Sequence, residues 1–532
     1  MMALRYLRNG FRRPWMTLSI LGGAGGAGVA IATDQGYIDW SSVGVVRFGR
    51  AFFSAGAIVV DYKWNMRGKE SGSTECKEMM STIHKRSAKR LHRLCCKNGG
   101  IFIKLGQHVG ALDYLLPEEY VSTMKVLHND APQSSLKDIK KVVAEDLGIP
   151  VDDLFSDFSE EPVGTASLAQ VHTALLKNGT KVAVKVQHPN VKSYSEVDMR
   201  TVEFLLNAVA RIFPEFELLW LAQEMREKLP MELDFVQEGK NAEKVAQMLN
   251  HFKFLKVPDI YWQKSTSRVL TMEYCNGGKV DNKEYMDQMG IDVNQITKNL
   301  GKMYSEMIFV NGYVHCDPHP GNVLIRHNDK KEVEIVLLDH GLYQTLTDDF
   351  RLDYSHLWQS ILAADLEGIK HYSMALGAGQ MYGIFACMLT ARSWDSLAVG
   401  IDKKQRSAQE DREVREHAAQ YISEITKLLN MVPRQMLLLL KTNDLLRSIE
   451  YALGSSESAS SFINMSRCCV RSVAHHKALQ KTTRWGRLMV HVRRDVKLLQ
   501  ISAYEMYLWL MCSSVVRWFR RTFIGLTTIA IS

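Results

Sequence analysis

The chain has 532 residues, 46% of them hydrophobic and 23% charged, which is enough to bury a large core and too long for one small domain. Its net charge of +8 favours contact with anionic lipid or phosphate, while the lack of zinc-finger spacing or an interleaved aromatic and basic run argues against a nucleic-acid partner. Nine scattered cysteines, with adjacent pairs at Cys95-Cys96 and Cys468-Cys469 and no CxxC, exclude a disulfide framework and point to reduced thiols.

At the amino end Arg5, Arg8, Arg12 and Arg13 precede the first acid, Asp34, as in a mitochondrial import signal. Trp15 to Thr33 is uncharged and glycine-rich, long enough to cross a bilayer as a helix of about 20 residues. Gly22 and Gly26 form a small-xxx-small face. A cleaved presequence and a retained anchor (residues 1–33) both remain open, and the expected address is mitochondrial, associated with the inner membrane. Residues 34–75 read as a linker.

Cys76 to His128 is predicted helical, with Lys85, Arg86, Lys89, Arg90 and Arg93 on polar positions and a break at Asn98-Gly99-Gly100. Leu136 to Leu147 forms another helix, stopped by Gly148 and Pro150. Residues 76–150 are therefore a helical extension. Ala169 to Leu176 and Lys181 to Gln187 are β-branched runs joined through Asn178-Gly179, a strong hairpin signal. Tyr194 to Ile212 and Trp220 to Leu249 have helical spacing. Val257 to Ile260 and Ser267 to Tyr274 read as strands, the second ending at Glu273 before Asn276-Gly277-Gly278.

An amphipathic helix over residues 291–312 stops at Asn311-Gly312, and a second hairpin joins Asn322 to Arg326 with Val333 to Leu338. Everything after about Asp348 is predicted helical. The fold class is thus α+β and two-lobed, with a small β-rich lobe at 151–280, a large α-helical lobe at 281–455, and a basic helical carboxyl-terminal extension at 456–532.

Phosphoryl transfer from ATP needs a cation on the phosphates, oxygen ligands for Mg²⁺ and a group that orients the acceptor. Lys185 in VAVKV lies on a strand, so its ammonium can be aimed at the α/β-phosphates. VHCDPHPGN, residues 314–322, matches H-x-D-x-x-x-x-N and offers Asp317 as base and Asn322 as metal ligand from one loop. Pro318, Pro320 and Gly321 shape that loop. IVLLDHG carries an apolar strand into Asp339, where a carboxylate at a strand end can hold Mg²⁺. Taken singly, Lys185 reads equally well as a strand lysine and the two aspartates as turn carboxylates; their shared order favours ATP and Mg²⁺ as cofactors.

With these motifs in hand, the chain resembles the AarF/UbiB atypical kinases, whose protein-kinase-like fold it is expected to share. IFIKLGQ (101–107) resembles the KxGQ signature, PVGTASLAQVH (162–172) the alanine-rich nucleotide loop, and MELDFVQEGKN (231–241) the E-x-D motif. The resemblance implies nucleotide contacts from Gly164, Thr165, Ala166, Ser167 and Glu273, and from Lys104 and Gln107 folded near Glu232 and Asp234. Glu238 is the first choice to pair with Lys185, with Glu232 as the alternative.

The loop departs from the family's triple alanine, reading Gly-Thr-Ala, and β-carbons there restrict how closely it approaches phosphate. The implied activity is a kinase or ATPase in mitochondrial lipid or isoprenoid-quinone homeostasis, with membrane lipids as partners and the acceptor and protein partners unnamed. The competing reading is a nucleotide-regulated scaffold of weak catalytic power. Residues 466–494 hold eight arginines and lysines and no acid, beside Trp485, Leu488, Met489 and Val492, as in a basic amphipathic surface helix or a solvated basic face.

Overall fold

Helices dominate the amino-terminal part because apolar residues recur at helical spacing there, and Gly99 and Gly100, both at positive φ, separate two of these helices. The computed structural model describes residues 44–67, 74–110, 112, 116–128, 132–213, 219–399, 421–454 and 458–512. The leader and anchor expected at 1–33 lie outside the described residues. Among the described residues no helix is long and apolar enough to cross a membrane.

A first compact unit contains α1 (Gly44–Asn65), α2 (Thr74–Asn98), α3 (Ile101–Gly110), α4 (Glu118–Lys125) and the helix Val191–Ile212. Two buried carboxylates fasten it. Asp198 accepts from Arg47 Nε at 2.9 Å, and Asp61 accepts from Arg86 Nε at 2.7 Å and from Arg90. The arginines around Asp61 hold its carboxyl below the ordinary range, Arg86 chief among them. Val191–Ile212 was expected to belong to the small lobe; its packing against α1 puts it in this unit instead.

The second unit carries the two kinase-like lobes. α5 (Leu136–Leu147), expected within the extension, belongs here: Ile139, Val142 and Val143 pack on the inner face of a sheet in the order β1 (Phe155–Phe158), β3 (Ala169–Leu176), β4 (Lys181–Gln187), β6 (Val269–Glu273). A two-residue β2 (Gly164–Thr165) pairs with β3. Val182, Val184 and Val186 of β4 are fully buried, and the strand period of two leaves Lys185 on the opposite face. The β3–β4 hairpin turns at Gly179, whose φ of +84° suits the Asn-Gly dipeptide.

A second sheet, in the order β5 (Leu255–Lys256), β10 (Val333–Leu337), β9 (Val323–His327), β7 (Gly278–Lys279), sits on α6 (Phe235–Met248) and α7 (Val293–Ser305) through a core containing Val245, Leu300, Ile325 and Ile335. The strand expected at 257–260 is reduced to one bridge from Ile260 to Met272, since Pro258 has no amide hydrogen to give a ladder.

β8 (Tyr313–His315) and β11 (Tyr343–Thr345) form a small antiparallel pair that clamps the two motif-bearing loops. The remaining helices include α8 (Asp348–Leu362), α9 (Arg434–Leu453), α10 (Ser458–Leu479) and α11 (Arg484–Cys512). Their core joins Phe309, Val314 and Cys316 to Leu357, Leu439 and Cys469.

Candidate active site

The alternation of β4 aims Lys185 at α6, and the helix answers with Glu238. That carboxylate is one turn past Asp234, whose own side chain caps the helix by accepting from Val236 N at 3.1 Å. Lys185 Nζ donates to Glu238 Oε1 at 2.7 Å and to Asp339 Oδ2 at 3.2 Å, and it stands 5.1 Å from the centroid of the Phe235 ring. Of the two sequence candidates for this pairing, the structure brings Glu238 to the lysine. Glu232 ends the preceding helix, Leu219–Glu232.

Burial pushes Glu238, which is 3% exposed, up to about 7 even though Lys185 pulls it down. Asp339 goes the other way, down to about 2: burial would raise it, but Lys185 and the Gly341 amide, 2.8 Å from Oδ1, prevail. Its side chain is 37% exposed, so part of that effect is screened by solvent. Burial would also lower Lys185, and the carboxylates of Asp339 and Glu238 more than offset it, so it stays charged.

His315 ties the loops together. Its Nδ1 accepts from the Asp317 amide at 3.2 Å, which leaves Nε2–H to donate to the Asp339 carbonyl at 2.5 Å. Burial lowers its pKa and keeps the ring neutral in that tautomer. His340, buried beside it and pushed down to about 3 chiefly by burial, bridges the Leu337 carbonyl and the Tyr343 hydroxyl. The side chain of Asn322 donates to the Asp317 carbonyl at 3.2 Å, closing the HCDPHPGN loop on itself.

Sequence reasoning missed one cation. Lys441 of α9 donates to Asp317 Oδ1 at 3.0 Å, although 124 residues separate the two. Between Asp317 and Asn322 the loop has no lysine or arginine of its own, so the positive charge there comes from a remote helix. The only hint in the sequence is a lysine ending the run LLLLK.

The Gly-Thr-Ala-Ser loop is a tight hairpin. Ala166 N donates to the Ala169 carbonyl at 2.8 Å, and the Ala166 carbonyl faces His188 Nε2 at 3.0 Å, a ring held in turn by Ser134 Oγ at 2.8 Å from Nδ1. Ser167 is buried and Gly164 exposed.

The carboxylate of Glu273, expected at the nucleotide, is engaged by Lys256 at 2.6 Å and by the Asp259 amide, leaving its backbone, in register with Val182, as the part on the sheet. Lys104 and Gln107 lie in α3 of the first unit. Gln107 Nε2 donates to the Leu127 carbonyl at 3.0 Å, and a β-carbon on Gly106 would overlap the Leu127 side chain, so this turn of the KLGQ segment folds onto 126–128.

Residues 126–373 match the model of the ABC1 atypical kinase-like domain. The chain is 56% identical over 483 residues to AarF domain-containing protein kinase 1 of Mus musculus, covering 91% of this chain and 92% of the relative. The chain belongs to the ABC1/AarF family of atypical kinases. Within that family, the protein of the same name in Gallus gallus is 54% identical over 91% of this chain and 93% of its own, and AarF domain-containing kinase 1 of Drosophila melanogaster 46% identical over 92% and 95%. These ABC1/AarF relatives agree with the resemblance drawn from KLGQ, HCDPHPGN and DHG, and the kinase-like fold and function follow from membership.

Proposed function

We propose that this ABC1/AarF protein binds Mg-ATP at the β4–α6–DHG junction and works as a kinase or ATPase. The observation that carries the proposal is Lys185 held between Glu238 and Asp339 at 2.7 and 3.2 Å. A lysine so placed is pre-aimed for the phosphates, with one carboxylate to orient it and a second to share Mg²⁺. Among the described residues no three His, Cys, Asp or Glu side chains cluster as a metal site. Mg²⁺ takes one or two protein oxygens and completes its shell with phosphate and water. Asp339 and the amide oxygen of Asn322 are the residues that would hold it, and the ion would neutralise charge on the transferred phosphoryl group. Asp317 would orient the acceptor hydroxyl or water.

Arginines before the first acid support a mitochondrial address at the inner membrane, and the family resemblance supports a role in lipid or isoprenoid-quinone homeostasis. Fusion of residues 1–40 to a fluorescent reporter tests the address, and cytosolic fluorescence would remove it.

One observation favours the scaffold reading: the Ala166 amide is committed to the Ala169 carbonyl within the loop. Mg²⁺-dependent ATP hydrolysis and the thermal shift with Mg-ATP separate the two. A catalyst shows both, and Asp339→Asn abolishes both because an amide lacks the charge a hard cation prefers. A scaffold shows the shift without turnover. An Asp339→Asn protein with the parent's shift would overturn the site itself.

A further inference from the structure

The last described helix, α11, folds back antiparallel on α10, and its packed side is defined by Val490, Leu498, Ile501 and Glu505, all partly buried. Arg467 of α10 fastens that side, donating to Glu505 Oε2 at 2.6 Å and Ser502 Oγ at 3.2 Å. The opposite side should then be polar, as on an ordinary surface helix. It is apolar. Trp485, Leu488, Val492, Val496, Leu499 and Met506 are between 45% and 71% exposed. At about 100° per residue they fall within one arc of about 100°, centred opposite the packed side. Six large apolar side chains in one file, facing away from the chain's own core, mark an interaction surface rather than scattered exposure.

Charge tells what covers it. Arg493 flanks the file on one side and Arg484 on the other, while Asp495, the one acid of this stretch before Glu505, is engaged by Arg494 at 2.8 Å. Two copies meeting through this face would oppose like-charged flanks. An acidic, fluid apolar surface meets both the file and its rim: cations at headgroup level, Trp485 at the interface, aliphatic side chains just below.

We infer that the outer face of α11 is a docking surface for an anionic lipid bilayer, on which the helix lies flat. The inference deepens the membrane partner of the proposed function by naming the surface. It requires neither ATP binding nor the mitochondrial address.

The test is flotation of the full chain with phosphatidylcholine vesicles made with and without phosphatidylglycerol. The parent floats with the anionic vesicles. Leu488→Gln with Val492→Gln lowers the partition about tenfold, and His491→Gln, on the same helix off the file, leaves it unchanged. Arg484→Gln with Arg493→Gln loses about fivefold per cation on anionic vesicles, a loss that vanishes near 1 M salt, where the screening length is about 3 Å.

Equal partition of parent and Leu488→Gln/Val492→Gln protein would overturn the inference. So would a parent dimer in light scattering that the same pair of substitutions dissociates, since the occupant would then be a second copy. The Mg-ATP thermal shift on the same preparations keeps the readings apart. A parent without that shift sinks the nucleotide site and leaves the lipid surface standing, and a parent that shifts but does not float does the reverse.

Discussion

Replacing Glu238 with glutamine separates the cost of burying that charge from the shape of the site. The side chain is 3% exposed and its pKa stands at about 7 against an ordinary 4.5, with burial the main cause. An acid whose pKa is raised by folding gives stability that is complete below the unfolded value and is lost as pH rises through the folded one. The window therefore runs from about 4.5 to about 7. At about 1.4 kcal/mol per pH unit, Glu238 alone costs the parent about 3 kcal/mol across it, a cost absent from the Gln variant, which has nothing to titrate there.

His315 and His340, which burial lowers from the ordinary 6.5, gain stability as pH rises through part of this window, in parent and variant alike, so the effect is read as the difference between the two. The Asp339 contribution is present above the ordinary 3.8 and lost only as pH falls toward about 2, and the raised pKa of Lys185 keeps its contribution constant until far above neutrality. Paired urea denaturation at pH 5 and pH 8 reads the effect. The stability of Glu238→Gln relative to the parent should rise by about 2 to 3 kcal/mol between the two. Parallel behaviour at both pH values would mean that the Lys185 contact holds Glu238 ionised throughout and that the burial argument is wrong.

Lys441→Met should cut ATP turnover about 10- to 100-fold with ATP affinity within a few-fold and little change in melting, because Lys441 touches Asp317 and not the Lys185 cluster; Lys441→Arg should retain most activity, and unchanged kcat in the Met variant would reduce the contact to a surface ion pair. Gly239→Ala would set a β-carbon 2.6 Å from the Trp262 ring, which Glu243 holds through Nε1 at 2.6 Å, so it should lower stability by about 1 to 3 kcal/mol, read by calorimetry. Ala166→Gly should change ADP and ATP affinity, measured by titration calorimetry, more than it changes the melting temperature, since the loop hairpin is where backbone freedom is limiting.

The parts of this site readable in advance are those with a local period behind them. β4 alternates, so Lys185 had to face away from Val184 and Val186; the DHG motif follows an apolar strand, so Asp339 had to stand at its end. The helix 220–249 was harder. Its charge spacing runs on as if unbroken, yet Leu233 and Asp234 interrupt it because the Asp234 side chain takes the Val236 amide and starts a new helix. That restart sets the register of Glu238.

What the sequence hid has no period at all. β8 and β11 are three residues each, too short for alternation to register, and they exist because Tyr343 and His315 are brought opposite each other by the folding of two separate loops. Lys441 is the same case over a longer distance. The boundary of the extension was misplaced for a related reason: α5 is an amphipathic helix like those before it, and only its contact with Val182 and Val184 assigns it to the sheet.

The stretch that matches the family's domain ends at residue 373, while α9 begins at Arg434. A fragment expressed to that boundary would keep every recognised motif and yet remove Lys441 from Asp317, along with Leu439 and Cys469 from the core against which Val314 and Cys316 pack. Such a fragment would expose apolar surface on the underside of its own HCDPHPGN loop and would aggregate. The smallest piece of this chain able to be assayed therefore runs through α9 and α10, and the inactivity of anything shorter would say nothing about whether the whole protein is an enzyme.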